Sequence, residues 1–189
     1  QTVVVVCGVL ATACGVGSLS LGSTAAQDET KPPALIPDLR IADDALRHGR
    51  YEESLEHSRA AVEKGIWNER WYLLAVRGEL ALGQLEAARE MVERGLSRYA
   101  SSIQLRWLGA HVLRRAGAID EADELLFEIE DLVESAAWRY GDRANRIVIA
   151  RYLLFRDGDP KQVLESVLDR VKEQDPRYVD AYLATAELA

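Results

Sequence analysis

The sequence predicts an all-α fold, a row of antiparallel helix pairs stacked as a solenoid, and three observations carry that prediction. Gly49-Arg50-Tyr51, Gly83-Gln84-Leu85 and Gly117-Ala118-Ile119 repeat a Gly-x-large-apolar triplet at a spacing of 34 residues. Each triplet lies between two stretches whose apolar residues recur at the 3.6-residue period of a helix. The charge is also divided: the first 26 residues carry none, and all 23 basic and 31 acidic residues follow from Asp28 onward. That leaves about 160 residues for a soluble array, enough for one domain or a short run of repeats.

Taken in order, Val3 to Leu21 is apolar and small, and Thr24-Ala25-Ala26 offers the small residues a signal peptidase reads, so residues 1–26 read as a signal peptide cleaved after Ala26. An uncleaved membrane anchor is the alternative, although the many Gly, Ala, Ser and Thr make a mediocre span. Cys14 follows Ala11-Thr12-Ala13, similar to a bacterial lipid-attachment box without its large aliphatic residue. No Met and no basic stretch precede the apolar run, so the start is expected to be cut. Residues 27–37, with Pro32, Pro33 and Pro37, read as a linker.

Helices follow over residues 38–48, 51–64, 68–82, 85–98, 102–116 and 119 to about 140, with Asn68 and Ser102 as N-caps and Gly65 as a stop. The last of these is about two turns longer than its counterparts, running on through Leu132, Val133, Ala136 and Tyr140 until Gly141 breaks it. Asp142 then caps a helix over 143–156. Asp159-Pro160 starts another, with Leu164 and Leu168 inward, and Asp175-Pro176 ends it. The closing segment DAYLATAELA is helical and has no stop signal, so the array is expected to continue past it.

After each triplet an inward pair recurs four residues apart: Ser54 and Ser58, Ala88 and Val92, Ala122 and Leu126. Before it, Trp71-x-x-Leu74-Ala75 and Leu105-x-x-Leu108-Gly109 place a large residue, a Leu and a small residue on one face. This resembles the tetratricopeptide repeat, whose period is 34 and whose small residues let helix axes approach at their crossings. The departures are Ser54 and Ser58, Gly78 in a place where an aromatic is usual, and turn glycines one position late. The resemblance covers nearly everything from Asp38 and implies a right-handed superhelix over residues 38–189, about four repeats and the first helix of a fifth. It also implies that first helices line a concave groove and second helices the outer wall.

The third pair separates its charge accordingly. Its first helix has Arg106, Arg114 and Arg115 and no acid, while its second carries an acidic run from Asp120 to Glu134, read as a solvated face. On a helical wheel Trp71, Leu74, Ala75, Gly78 and Leu82 form a packing side, and Arg70, Leu73 and Arg77 the opposite one. The equivalent side of the next repeat holds Gln104, Trp107, His111 and Arg115. An exposed Trp among Arg residues has the composition of an interface hot spot. The candidate groove is therefore Arg70, Leu73, Arg77, Gln104, Trp107, His111, Arg114 and Arg115. The competing reading packs Trp107 under its neighbour and pairs the arginines with nearby acids. Trp67, Trp71 and Trp138 read as core or inter-repeat packing.

Other chemistries find no support in the sequence. The net charge of −8 opposes a nucleic-acid backbone as partner. Cys7 and Cys14 are the only cysteines, which leaves the array without a disulfide or thiolate metal site. His48, His57 and His111 form no HExxH pair, and there is no phosphate loop or GxSxG elbow. Asp43-Asp44 and Glu52-Glu53 are neighbours on helices and diverge as surface charge. No catalytic residue, cofactor or metal is assigned. The reading is an exported, non-catalytic scaffold, periplasmic or extracellular, that binds a protein or peptide with acidic groups and meets a membrane only through its N-terminal segment. The alternative is the substrate-recruiting region of a larger exported enzyme such as a zinc metallopeptidase.

Overall fold

The computed structural model describes residues 35–187. The signal or anchor, the cleavage point, the lipid-attachment box and most of the linker lie outside the described residues. Among the described residues the regular structure is helical: α1 Leu39–Arg47, α2 Tyr51–Glu63, α3 Glu69–Ala81, α4 Leu85–Arg98, α5 Ile103–Ala116, α6 Ile119–Ala136 and α7 Arg143–Phe155. Then come α8 Pro160–Val163, a π-helical stretch Leu164–Leu168, α9 Asp169–Gln174 and α10 Val179–Ala186. Asp38, Asn68, Ser102, Asp142 and Asp159 cap their helices by accepting from backbone N–H groups that have no partner within the first turn.

Three of the hairpin turns share one mechanism. At Gly117, with φ of 83°, the chain enters the left-handed region that a Cβ disfavours, and the Ala118 N–H reaches back to the Leu113 carbonyl at 2.9 Å. The turns at Gly49 and Gly83 close with the same bond, from Arg50 to Ala45 and from Gln84 to Glu79. Identical turns give identical hairpins, so α1–α2, α3–α4 and α5–α6 stack in register. First helices pack on first helices, α1 on α3, α3 on α5, α5 on α7 and α7 on α10, which makes them the lining of one face.

Close crossings hold the stack. A Cβ on Gly109 would lie 2.8 Å from Val92 Cγ1 and 2.9 Å from Leu125 Cδ1, so α4, α5 and α6 meet where only glycine fits. Apolar burial then runs along the array in three successive clusters. The first joins α1 to α5 around Leu55, Leu74 and Val92, the second α5 to α7 around Ile103, Leu126 and Ile129, and the third α7 to α10 around Ile147, Leu168 and Val171. Each residue in these clusters contributes through area removed from water, at roughly 25 cal/mol per Å². Glu79 is a buried exception at 1% exposure, held by Arg59 through Nε at 3.1 Å and Nη2 at 2.8 Å to one carboxylate oxygen.

The structure corrects the sequence reading at several points. The sixth helix stops at Ala136 and tightens into a 3₁₀ turn, Ala137–Tyr140, that swings Tyr140 inward so its hydroxyl donates to the Ser101 carbonyl at 3.0 Å. The helix expected after Pro160 is interrupted by the π turn, in which the Asp169 N–H bonds to the Leu164 carbonyl. The extra residue brings Leu168 fully inward while Leu164 packs only partly. Trp71 is core, as expected, and Trp67, though 71% exposed, packs between repeats with its ring 5.4 Å from that of Tyr99 and 4.4 Å from the Arg98 guanidinium, whereas Trp138 is 81% exposed and does neither. Trp67 sits in the loop between α2 and α3, beyond the reach of either helix's apolar stripe. Trp138 sits on the 3₁₀ turn, where Tyr140 takes the inward place.

Candidate binding groove

The groove is built on the inner stripe of α5. Gln104, Trp107, His111 and Arg115 are three or four residues apart, so they stand one above another along a single face. Arg77 and Leu80 of α3 face them from one side and Ile147, Val148 and Arg151 of α7 from the other. Tyr178, Asp180 and Glu187 close the far end around α10. The open groove has a volume of ≈ 510 Å³, within the range that accepts a few side chains of a ligand.

Its electrostatics follow from who is paired. Arg151 holds Glu187 with two parallel bonds, Nε to Oε2 at 3.0 Å and Nη2 to Oε1 at 2.8 Å, and this pair is satisfied internally. Arg77 and Arg115 have no carboxylate at ion-pair distance among the described residues. Arg77 stays exposed to solvent; crowding by the groove walls pulls its pKa down, with Asp180 opposing, and a guanidinium stays charged regardless. His111 is pulled down too, first by burial and then by Arg151, Arg114 and Arg115, which favours the neutral imidazole at pH 7. Burial and the Asp180 carboxylate push the Tyr178 phenol up, keeping it a hydrogen-bond donor.

Trp107 is half-buried. One side packs on the second apolar cluster, its edge meets the His111 ring at 4.8 Å between centroids and 81° between planes, and the rest faces the cavity. Gln104 donates to Asn145 at 3.3 Å and so links α5 to α7. The groove therefore offers an indole surface together with two guanidinium groups that have no carboxylate at ion-pair distance among the described residues, with Asp180 also in the lining. That combination suits an acidic or carboxylate-bearing segment with an apolar side chain.

Five of the eight residues expected from sequence, Arg77, Gln104, Trp107, His111 and Arg115, converge on this cavity. Three do not. Leu73 is 6% exposed within the first cluster, because α3 is covered by α1, α2, α4 and α5 and has almost no free side. Arg70 bonds Asp43 of α1 at 3.2 Å and lies outside the cavity. Arg114 turns toward α6 and α7, where it bonds Asp123 at 2.5 Å and lies 4.5 Å over the Phe155 ring. With Arg106 bonded to Glu128 at 2.6 Å, two of the three arginines of α5 serve to hold their own hairpin.

Sequence reasoning also missed the wall supplied by α7 and α10. Ala144, Ile147, Val148 and Arg151 repeat on α7 the spacing of Gln104, Trp107, Leu108 and His111 on α5, and that spacing is the signal that could have found them.

No protein-family model and no curated protein matches the chain. Among solved structures it is similar to the crystal structure of TTC0263, a thermophilic TPR protein of Thermus thermophilus, with a TM-score of 0.52, 19% sequence identity, and 79% of this chain and 78% of that one covered. The likeness is one of fold, and it agrees with the packing described above: residues 35–187 form an all-α, tetratricopeptide-like solenoid.

Proposed function

We propose that the array is a non-catalytic scaffold that holds a segment of another protein in the groove of its first helices. The observation that carries this reading is the placement of Arg77 and Arg115, both without a carboxylate partner among the described residues, in one groove with the half-buried Trp107. Charge-assisted bonds to a guanidinium are among the strongest a surface can offer, and a partly desolvated indole supplies the apolar contact that anchors an interface. The tetratricopeptide-like fold supports a role in protein–protein interaction. The partner we infer is an extended or helical segment with acidic groups beside an apolar side chain.

Selection of short phage-displayed peptides on the immobilised chain tests this. Binders enriched in Asp or Glu next to an aliphatic or aromatic residue are expected. The double variant Trp107→Ala, Arg77→Glu should lose about tenfold or more in capture of those peptides while its helical circular dichroism is retained. Equal capture by the double variant would remove this face from consideration.

A further inference from the structure

Four first helices bring one register position each to the groove. Leu74, Leu108, Val148 and Ala184 are buried on α3, α5, α7 and α10, and three residues after each come Arg77, His111, Arg151 and Glu187. All four line the same cavity, so they form a row that runs across the helices. Glu187 belongs to this row because it continues the right-handed helical backbone of α10, with φ of −65° and ψ of −13°. It stands two turns beyond Asp180 on the same side, and α10 thereby turns two carboxylates into a cavity that also holds Arg77, Arg115 and Arg151. Of these three guanidinium groups only Arg151 has a carboxylate at ion-pair distance among the described residues, and that carboxylate is Glu187.

We propose, on the reading of this groove as the seat of an acidic segment, that Arg151 is its third carboxylate-binding residue and that Glu187 is an internal competitor for it. An arriving segment lies across the row, seats a carboxylate on the Arg151 fork and turns Glu187 out into water.

The pair has the features of a replaceable contact. The Arg151 side chain is 24% exposed and so is held in the wall of α7, whereas that of Glu187 is 54% exposed and faces solvent. Its two bonds, Nε to Oε2 at 3.0 Å and Nη2 to Oε1 at 2.8 Å, are ones that any carboxylate can accept. An exposed pair of this kind contributes little net stability, since water screens it and two long side chains lose freedom in forming it. Exchange leaves Arg151 fully bonded and returns Glu187 to water, so no buried polar group is left without a partner. The Arg59–Glu79 pair shows the opposite design: Glu79 is 1% exposed, and taking Arg59 away would strand a buried carboxylate.

The test uses the full chain and a fluorescein-labelled peptide with two glutamates on each side of one leucine, its binding followed by anisotropy. Glu187→Gln should tighten binding about fivefold, the scale of an exposed ion pair. The gain should shrink below about twofold in an Arg151→Gln background, where no guanidinium is left to compete for. Glu124→Gln, the same charge change on the outer wall, should leave binding unaltered. A second measurement needs no peptide: the rate at which phenylglyoxal modifies Arg151, read by mass spectrometry against Arg115 in the same molecule, should rise about fivefold in Glu187→Gln. No gain in Glu187→Gln, an equal gain in both backgrounds or in Glu124→Gln, or an unchanged Arg151 rate would each overturn the competitor while leaving the groove as a binding site. Peptide binding that ignores Trp107→Ala with Arg77→Glu would instead remove the groove reading, and the competitor with it.

Discussion

From α1 to α6 the hairpins turn at Gly49, Gly83 and Gly117, all with positive φ and the same closing bond; the turn after α7 closes with that bond too, from Gly158 to Leu153, but its left-handed residue is Asp157, with φ of 59°. The first three hairpins meet at close crossings such as Gly109, where the Val92 and Leu125 side chains press on the glycine backbone. The fourth leans on α5, and its link to α6 runs through side chains. The Tyr152 hydroxyl donates to Glu130 at 2.6 Å, Arg156 reaches the same carboxylate at 3.5 Å, and Arg114 spans from Asp123 to Phe155. Two ways of joining repeats thus coexist in one array. Close packing of side chains on a glycine fixes spacing and tolerates no added atom, while side-chain bridging admits irregularity such as the 3₁₀ turn and the π turn and makes the junction sensitive to protonation. The groove takes one wall from each kind.

The largest expected effect comes from breaking a close crossing. Gly109→Val should destabilise by about 3 kcal/mol, because its Cβ alone would already press on Val92 and Leu125. Gly141→Ala in the irregular connection should cost little, since its nearest obstacle is the Trp138 carbonyl at 3.7 Å. Thermal denaturation of both variants checks the contrast, and equal losses would mean that the two regions do not differ in tolerance.

A smaller effect is expected at the bridged junction. Tyr152→Phe removes one buried hydrogen bond and should cost about 1 kcal/mol at neutral pH. Burial, with the Glu130 carboxylate accepting its hydrogen bond, pushes the Tyr152 phenol up to about 12. In the unfolded chain a tyrosine ionises near 10. The folded state therefore keeps a proton that the unfolded state releases, so this group's stabilisation is complete below about pH 10 and is lost as pH rises through about 12. Denaturant midpoints measured across that window should fall less steeply in Tyr152→Phe than in the parent. Parallel curves would show that the phenol does not titrate with folding.

The smallest change is a gain. Asp157→Gly installs the residue that the regular turns use and should stabilise by about 0.5 kcal/mol, the relief of a left-handed side chain less the added freedom of the unfolded chain. Hydrogen exchange at α7 and α8 would register it as slower opening, and faster opening would mean that Asp157 holds its turn by some contact of its own.

Much of the array was legible in the sequence because its signals are local. Caps such as Asn68, Ser102 and Asp142 act on N–H groups two or three residues away, and the turn glycines respond to their own φ. The groove was half legible for the same reason. The stripe on α5 is a property of one helix, so Trp107 and Arg115 were found. Leu73 and Arg114 were misplaced because a single helix does not reveal how many neighbours will surround it: α3 is enclosed on nearly every side, and Arg114 stands where Asp123 and Phe155 come together.

The sequence by itself determined helix type, turn positions and the 34-residue spacing, since backbone conformation and apolar period depend on residues within one or two turns of each other. Only the tertiary structure decided which arginines are consumed by neighbouring acids, which tryptophans are left in water, and that α7 and α10 complete the groove. Those outcomes depend on contacts between residues tens of positions apart, where burial and pairing are set by what the stacked helices bring alongside.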